Sequence, residues 1–372
     1  MVARNEAHSP DGSAYPVAPT KRDAADSRSQ ADGRQRHAFV HAAPDDAMDQ
    51  ALVIGGTRFI GRHTVEEFLE HEYDIAIFNR GNHDNPFDAN DRVEHVQGDR
   101  MDDAALEAAR EAVDPDVVID CVAYHPRDVR IATDVFADVK AYVSVSSGAS
   151  YGNEEVPKRE DETPLEPWPG ADSDESAQTY GKRKAEGDRA VFAAAEDGVN
   201  AMAVRPTVVY GPHDYTERFD YWLARIDTYD RVVVPGDGLS LWQLAYVEDV
   251  ASALRIVAER GEAGEAYNVG DRDAPTLGEW VELIADAMDR PVHAVGASAN
   301  ELAAAVLAPE DFPLYRDQPH LLSTAKLHDL GWESTPHEEA LGATVEEHRT
   351  SDRTGTDEGP DRERTEVLLD RM

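Results

Sequence analysis

From residue 51 onward, short apolar runs alternate with segments whose apolar residues recur at helical spacing. "ALVI" (51–54), "DIAIF" (74–78), "VEHVQ" (93–97), "DVVIDCV" (116–122) and "AYVSVSS" (141–147) read as strands. Val65, Phe68 and Leu69 share one face of a helix expected after Gly61, and segments near 102–113 and 127–138 predict two more helices. Further on, "DYTERFDYWLARI" predicts an amphipathic helix with Phe219, Trp222 and Ile226 inward. Strands apolar on both faces and separated by helices pair in parallel, with helices on either side. Ligands of such sheets bind beyond the carboxyl ends of the strands, so the informative residues are those that follow strands.

The pattern fades at both ends. Residues 1–48 are rich in Ala, Asp, Arg, Ser and Pro and read as a disordered tail, with Met48 a candidate start. Residues 349–372 read as a second polar, disordered tail whose "EVLLDRM" end can dock as a helical turn. No apolar run reaches membrane-span length and residues 1–30 carry no signal-peptide core, which predicts a soluble, cytoplasmic protein with no membrane partner. The single cysteine, Cys121, excludes an intrachain disulfide framework and a cysteine-based zinc site.

Charge changes the picture. Seventy-five acidic residues stand against 36 basic ones, a net charge of −39, and the carboxylates are spread along the whole chain. Lysine occurs only at 21, 140, 158, 182, 184 and 326. This is the pattern of proteins from salt-loving organisms, whose acidic surfaces stay soluble where salt screens self-repulsion. It also argues against an extended nucleic-acid surface.

Candidate chemistry begins at "VIGGTRFIG". Gly55, Gly56 and Gly61 lie between a strand and a helix, where glycines permit a tight turn and close helix packing, and the helix N-terminus offers free N–H groups to a pyrophosphate. Thr57, Arg58, Phe59 and Ile60 complete the candidate cofactor loop, with Arg58 where the middle glycine is usual. The alternative is a plain glycine-rich turn. The second strand ends in Asn79–Arg80, with no carboxylate for ribose hydroxyls; Arg80, with Arg58, either pairs with a 2′-phosphate, favouring NADP over NAD, or is a solvated charge. In "TYGKRKAEGDRAVF", Tyr180 and Lys184 are four apart on one helical face. An ammonium beside a phenol stabilises phenolate and makes a usable acid/base, and the preceding "VSVSSGASYG" offers Ser147 to orient the tyrosine or a substrate carbonyl.

"VIGGTRFIG", "GDRMD", "SVSSGASYG", "YGKRK", "VRPTVVYGP", "VPGDG", "AYVEDVA" and "AYNVGD", in this order over residues 50–348, resemble the extended short-chain dehydrogenase/reductases, also called NAD-dependent epimerase/dehydratases. The resemblance implies a Rossmann-type doubly wound parallel α/β sheet (49–206) with a smaller, partly interleaved C-terminal α/β substrate lobe (207–348). It implies a catalytic Ser147–Tyr180–Lys184 triad, with Tyr180 and Lys184 also on the cofactor. Asp99 matches a position that contacts adenine. Arg100 beside it, and Cys121, Val122 and Ala123 after the fourth strand, are assigned to the cofactor surface. A homodimer is implied as well. "GGTRFIG" and "GDGLSLWQLAYVEDVA" look most like an atypical subgroup that contains chloroplast stem-loop-binding proteins.

The departures bear on substrate. Dehydratases carry Asp-Glu after the catalytic hydroxyl residue; here Gly148–Ala149 disfavour dehydration. Where nucleotide-sugar enzymes clamp a diphosphate with arginine, alignment through "YVED" places Trp242 and Gln243. Together with His125, Ser147 and His213, these two are the candidate substrate contacts; no metal site is expected, because scattered histidines are usually structural. The expected function is an NAD(P)-dependent oxidoreductase or epimerase acting on a hydroxyl or carbonyl of a sugar-like substrate, a class that includes nucleotide sugars. The alternative is an RNA-binding or cofactor-sensing protein on the same fold.

Overall fold

The structure, a computed structural model, describes residues 48–168 and 176–371. The expectations for residues 1–47 lie outside them. Strands and helices alternate as β1 (Gln50–Ile54), α1 (Phe59–Glu70), β2 (Asp74–Asn79), β3 (Val93–Gln97), α2 (Asp103–Val113), β4 (Val117–Asp120), α3 (Pro126–Val135), β5 (Ala141–Val145), α4 (Tyr180–Glu196) and β6 (Ala201–Pro206). There follow β7 (Val208–Tyr210), α5 (Asp220–Thr228), β8 (Arg231–Pro235), β9 (Leu244–Tyr246), α6 (Val247–Arg260), β10 (Ala266–Val269), α7 (Leu277–Ala287), β11 (His293–Ala297), α8 (Ala299–Ala304), α9 (Ala325–Asp329), α10 (His337–Thr350) and α11 (Arg362–Leu369).

The main sheet is parallel throughout, in the order β10-β6-β5-β4-β1-β2-β3. Its direction of growth reverses between β1 and β4, and this switch point leaves a crevice beyond their carboxyl ends. All the residues of β4, β5 and β6 are buried, as is most of β1 and β2, because helices cover both faces. Each Val, Ile or Leu so removed from water contributes about 1.5–3 kcal/mol. The expected strand 116–122 ends at Asp120, whose side chain leaves the apolar pattern to take Arg100 and the Tyr142 hydroxyl. The expected strand 141–147 ends at Val145, and Ser146 and Ser147 carry the chain toward the site.

Beyond β6 the chain adds two small sheets, β7–β9 and β8–β11, while β10 returns to the main sheet. Phe219, Trp222 and Ile226 face inward as expected, with Trp280 edge to face on both Tyr210 and Phe219 and those two rings tilted on each other. The C-terminal stretch departs from the expectation of a disordered tail at 349–372. Helix α10 runs to Thr350, α11 follows, and Thr365, Leu368 and Leu369 are buried. The "EVLL" end docks in a helix as expected; the rest was concealed because its docking uses arginines, with Arg362 donating to the Arg231 carbonyl and Arg231 to that of Leu369.

Two buried polar clusters brace the interior. Asp188 of α4 and Arg205 of β6 form an ion pair of 2.8 Å with both side chains 1% exposed, and Arg205 also donates to the Tyr151 hydroxyl, which donates to Asn268. Asp249, in α6, accepts from the backbone and hydroxyl of Thr335. Burial, reinforced by the Asp271 and Glu248 charges, overcomes those two bonds and pushes its pKa up from 3.8 to about 6. The folded state therefore keeps a proton that the unfolded chain releases, and stability contributed below about pH 4 is lost as pH rises to about 6. Asp249→Asn should gain on wild type by roughly 2–3 kcal/mol between pH 4 and pH 7, at about 1.4 kcal/mol per pKa unit. Denaturant melts of both proteins at the two pH values check this; a constant difference contradicts it.

Candidate active site

Helix α1 starts earlier than the sequence indicates, at Phe59, with Arg58 as its N-cap in extended conformation and no side-chain cap bond. The first-turn N–H groups are thus left facing the crevice. A Cβ on Gly61 would overlap the Gly55 carbonyl oxygen, so glycine there lets the helix start lie directly on the strand end. Above this turn is a cavity of about 730 Å³, within the range of cofactor sites.

Of the expected cofactor residues, Gly55, Thr57, Arg58, Phe59, Ile60, Gly61, Asn79, Arg80, Asp99, Arg100, Cys121, Val122 and Tyr180 line this cavity. Gly56, Ala123 and Lys184 do not, and Gly56 packs beneath the loop against Val65 and Ile77. Asn79 accepts from the Gly81 N–H (2.7 Å) and meets His95 (3.0 Å); its buried Nδ2 has no partner among the described residues. Arg80 is exposed, and its guanidinium makes no ion pair among the described residues. Arg100 lines the cavity with its guanidinium already engaged by the protein. It donates to both Asp120 oxygens at 2.7 Å and to the Asp128 carbonyl, so its guanidinium braces the cavity floor. Burial pushes the Cys121 thiol up to about 12, which keeps it neutral.

Tyr180 opens α4 at the edge of this cavity. A Cβ on the next residue, Gly181, would overlap the Ala149 carbonyl oxygen, so glycine presses the helix against the Gly148–Ser150 turn that follows Ser147. Lys184, one turn on, is buried, and its Nζ donates to the carbonyls of Ala123 (2.9 Å) and Val145 (2.7 Å) at the ends of β4 and β5. Ala123 thus acts through its backbone. The same Nζ lies 5.9 Å from the Tyr180 ring centroid. Ser147 accepts from the Ala149 N–H at 3.1 Å. Of the three, Tyr180 lines the cavity, Lys184 lies behind it at the strand ends, and Ser147 opens the turn against which α4 is pressed.

The candidate substrate residues divide. His125 caps α3 and lines the cavity. His213 lies outside the lining, 3.2 Å from Glu347 with its ring against His63; burial and Arg62 lower its pKa. Trp242 and Gln243 differ from the expectation of a substrate wall. Trp242 is 5% exposed and packs edge to face on Trp222. Gln243 donates to the Asp271 and Leu322 carbonyls and accepts from the Leu322 N–H. Both face the core, because "LWQLAY" enters β9 between buried neighbours. Beside Ser147 stands instead His320: a Cβ on Gly148 would come within 2.8 Å of its Nε2, and its buried Nδ1 has no partner among the described residues. Burial, with Arg316 and Lys158 nearby, lowers His320 to about 3 and keeps it neutral.

Sequence reasoning missed Tyr124, Arg183 and Tyr215, all of which line the cavity. Arg183 was in view one residue before Lys184, but only folding shows that it donates to the Tyr124 carbonyl. Among the described residues, no group of His, Cys, Asp and Glu is arranged to hold a metal, and no helix is long and apolar enough to cross a membrane.

A parallel Rossmann sheet with a glycine turn at its switch point and a Tyr-x-x-x-Lys helix beside it defines the extended short-chain dehydrogenase/reductase class. Residues 51–270 match the NAD dependent epimerase/dehydratase family, and the chain belongs to it. Among curated relatives, it is 24% identical to the chloroplast stem-loop binding protein of 41 kDa b of Arabidopsis thaliana, over 76% of this chain and 74% of that one. It is 26% identical to the low-salt glycan biosynthesis protein Agl12 of Haloferax volcanii, over 79% and 97%. Among solved structures, dTDP-glucose 4,6-dehydratase of Bacillus anthracis in complex with NAD matches with a TM-score of 0.64 and 21% identity, over 82% and 97%.

Proposed function

We propose that the chain is an NAD(P)-dependent oxidoreductase or epimerase that acts on a sugar-like hydroxyl or carbonyl. The observation that carries this reading is the Lys184 ammonium, fixed by two strand-end carbonyls next to Tyr180 at the rim of a dinucleotide-sized cavity. The cavity suits such a cofactor: the helix start offers N–H groups to a pyrophosphate, Asp99 lies at the far end for adenine, and the Nδ2 of Asn79 is unpartnered. When bound there, nicotinamide supplies a hydride acceptor and donor for a substrate carbon. Tyr180 moves the proton of the substrate hydroxyl, and Ser147 holds that oxygen. Lys184 has three donors and commits two to carbonyls, which leaves one for Tyr180 or a ribose hydroxyl.

The free Arg80, with no carboxylate at the end of β2, supports NADP over NAD. Arg80→Gln should weaken NADPH binding roughly five- to tenfold, as for one charge-assisted hydrogen bond at an exposed site, with NADH affinity unchanged. Fluorescence titration with both nucleotides checks this, and equal losses for the two would refute it.

Gly148–Ala149 offer no acid to expel a hydroxyl, and Trp242 offers no diphosphate clamp, which supports an epimerase or reductase of a smaller sugar over a dehydratase. A panel of sugars, sugar nucleotides and ketones, screened for NAD(P)H absorbance change and for epimer formation, tests the substrate class. A second reading, RNA binding, is favoured by one relative's name and opposed by the −39 charge. Stem-loop RNA retained at high salt would support it. A second copy of the chain is the proposed partner, tested by sedimentation.

A further inference from the structure

We propose that Tyr215, supplied by the chain beyond β6, is a cofactor-positioning residue that forms a latch with Arg58 across the pyrophosphate of a bound dinucleotide. The proposal rests on the cofactor reading above. The Arg58 guanidinium lies 3.6 Å from the centroid of the Tyr215 ring, and its Nη1 is 3.3 Å from His83 Nε2. The Tyr215 ring also meets Phe59 edge-on at 6.3 Å. Arg58, Phe59, His83, Tyr124 and Tyr215 all line the cavity. Residues of the glycine turn, the β2–β3 loop, the β4–α3 loop and the chain beyond β6 therefore meet over one opening.

The arrangement has the form of a contact held ready. Tyr215 is 45% exposed, a large ring kept half in water rather than packed into the core. The turn that presents it is braced, since Asp214 accepts from both the N–H (2.9 Å) and hydroxyl (2.7 Å) of Thr216, and His213 pairs with Glu347. A guanidinium stacked on a ring has one face covered while its edge N–H groups remain available to phosphate oxygens. The first-turn N–H groups of α1 approach the same anion from below. A nucleotide held between them leaves only when the stack opens. Slow release suits a reaction that restores its cofactor within each turnover and does not exchange it, so the latch favours the epimerase form of the proposed function.

Stopped-flow release of NADPH, chased with excess NADP⁺ at high salt, tests this in wild type, Tyr215→Ala, Tyr215→Phe, Arg58→Ala and the Tyr215→Ala/Arg58→Ala double variant. Each alanine variant should release nucleotide about tenfold faster, the double variant no faster than either single, and Tyr215→Phe within about twofold of wild type, because the stack is what matters. Melting temperatures without nucleotide should coincide, which a merely structural role for Tyr215 would not allow. Release from Tyr215→Ala at the wild-type rate, with wild type binding normally, would overturn the latch alone. Failure of wild type to bind either nucleotide would overturn the cofactor reading and the latch together.

Discussion

Tyr180→Phe should abolish most turnover, lowering kcat by roughly 10²–10⁴, the range of a lost general acid/base, while leaving nucleotide affinity unchanged. The phenol is at the cavity rim and its ring keeps its place in the variant, because α4 is positioned by Gly181 against Ala149 and by Lys184 between two carbonyls, and neither contact involves the hydroxyl. The split between turnover and binding is therefore the diagnostic feature. Lys184→Ala should behave differently and lose both, since it removes the anchor that ties α4 to the ends of β4 and β5. Steady-state kinetics on a substrate identified by the panel, with parallel nucleotide titrations, measure the split. Full activity in Tyr180→Phe would remove the tyrosine from the mechanism.

The largest effect on stability is expected far from that chemistry, at the buried pair Asp188–Arg205. Asp188→Ala leaves a guanidinium 1% exposed with the Tyr151 hydroxyl as its remaining side-chain hydrogen-bond partner among the described residues, and should cost about 3–5 kcal/mol. Such a loss lowers the melting temperature by roughly 10 °C. Arg205→Met combined with Asp188→Leu should recover most of the loss, because two apolar residues of similar size leave no charge to desolvate. Since Tyr151 and Asn268 hang from the same arginine, the single variant should also loosen the loop that follows Ser147. Calorimetry of wild type and the two variants at constant salt decides the matter. A loss below about 1 kcal/mol in Asp188→Ala would show that water reaches the arginine.

What was legible in the sequence is what local sterics and periodicity write down. β1 to β3 fall within a residue of their apolar runs, and the glycine turn was readable because close helix packing tolerates nothing larger at position 61. Tyr180 and Lys184 were readable because a helix puts residues four apart on one face. Polar groups whose partners lie elsewhere in the chain were harder. Arg100 has the look of a ligand residue until Asp120 and Asp128 are folded against it. Trp242 and Gln243 were assigned to the substrate through their neighbourhood with "YVED", but that neighbourhood is a strand entering the core. Tyr215 gave no signal, since its meaning comes from Arg58, which is close in space and far along the chain. Of the docked α11, the "EVLL" end was legible from its leucines, and the rest was hidden because arginine-to-carbonyl bonds carry no periodic mark.

The central claim is that the crevice between β1 and β4 holds a nicotinamide dinucleotide. Thermal unfolding at high salt over a concentration series of NADH and NADPH tests it most directly. Binding to the folded state alone should raise stability with the logarithm of concentration, reaching about 2.7 kcal/mol at a hundredfold excess over Kd, with NADPH acting at lower concentration than NADH. A melting temperature unmoved by either nucleotide at any concentration would contradict it.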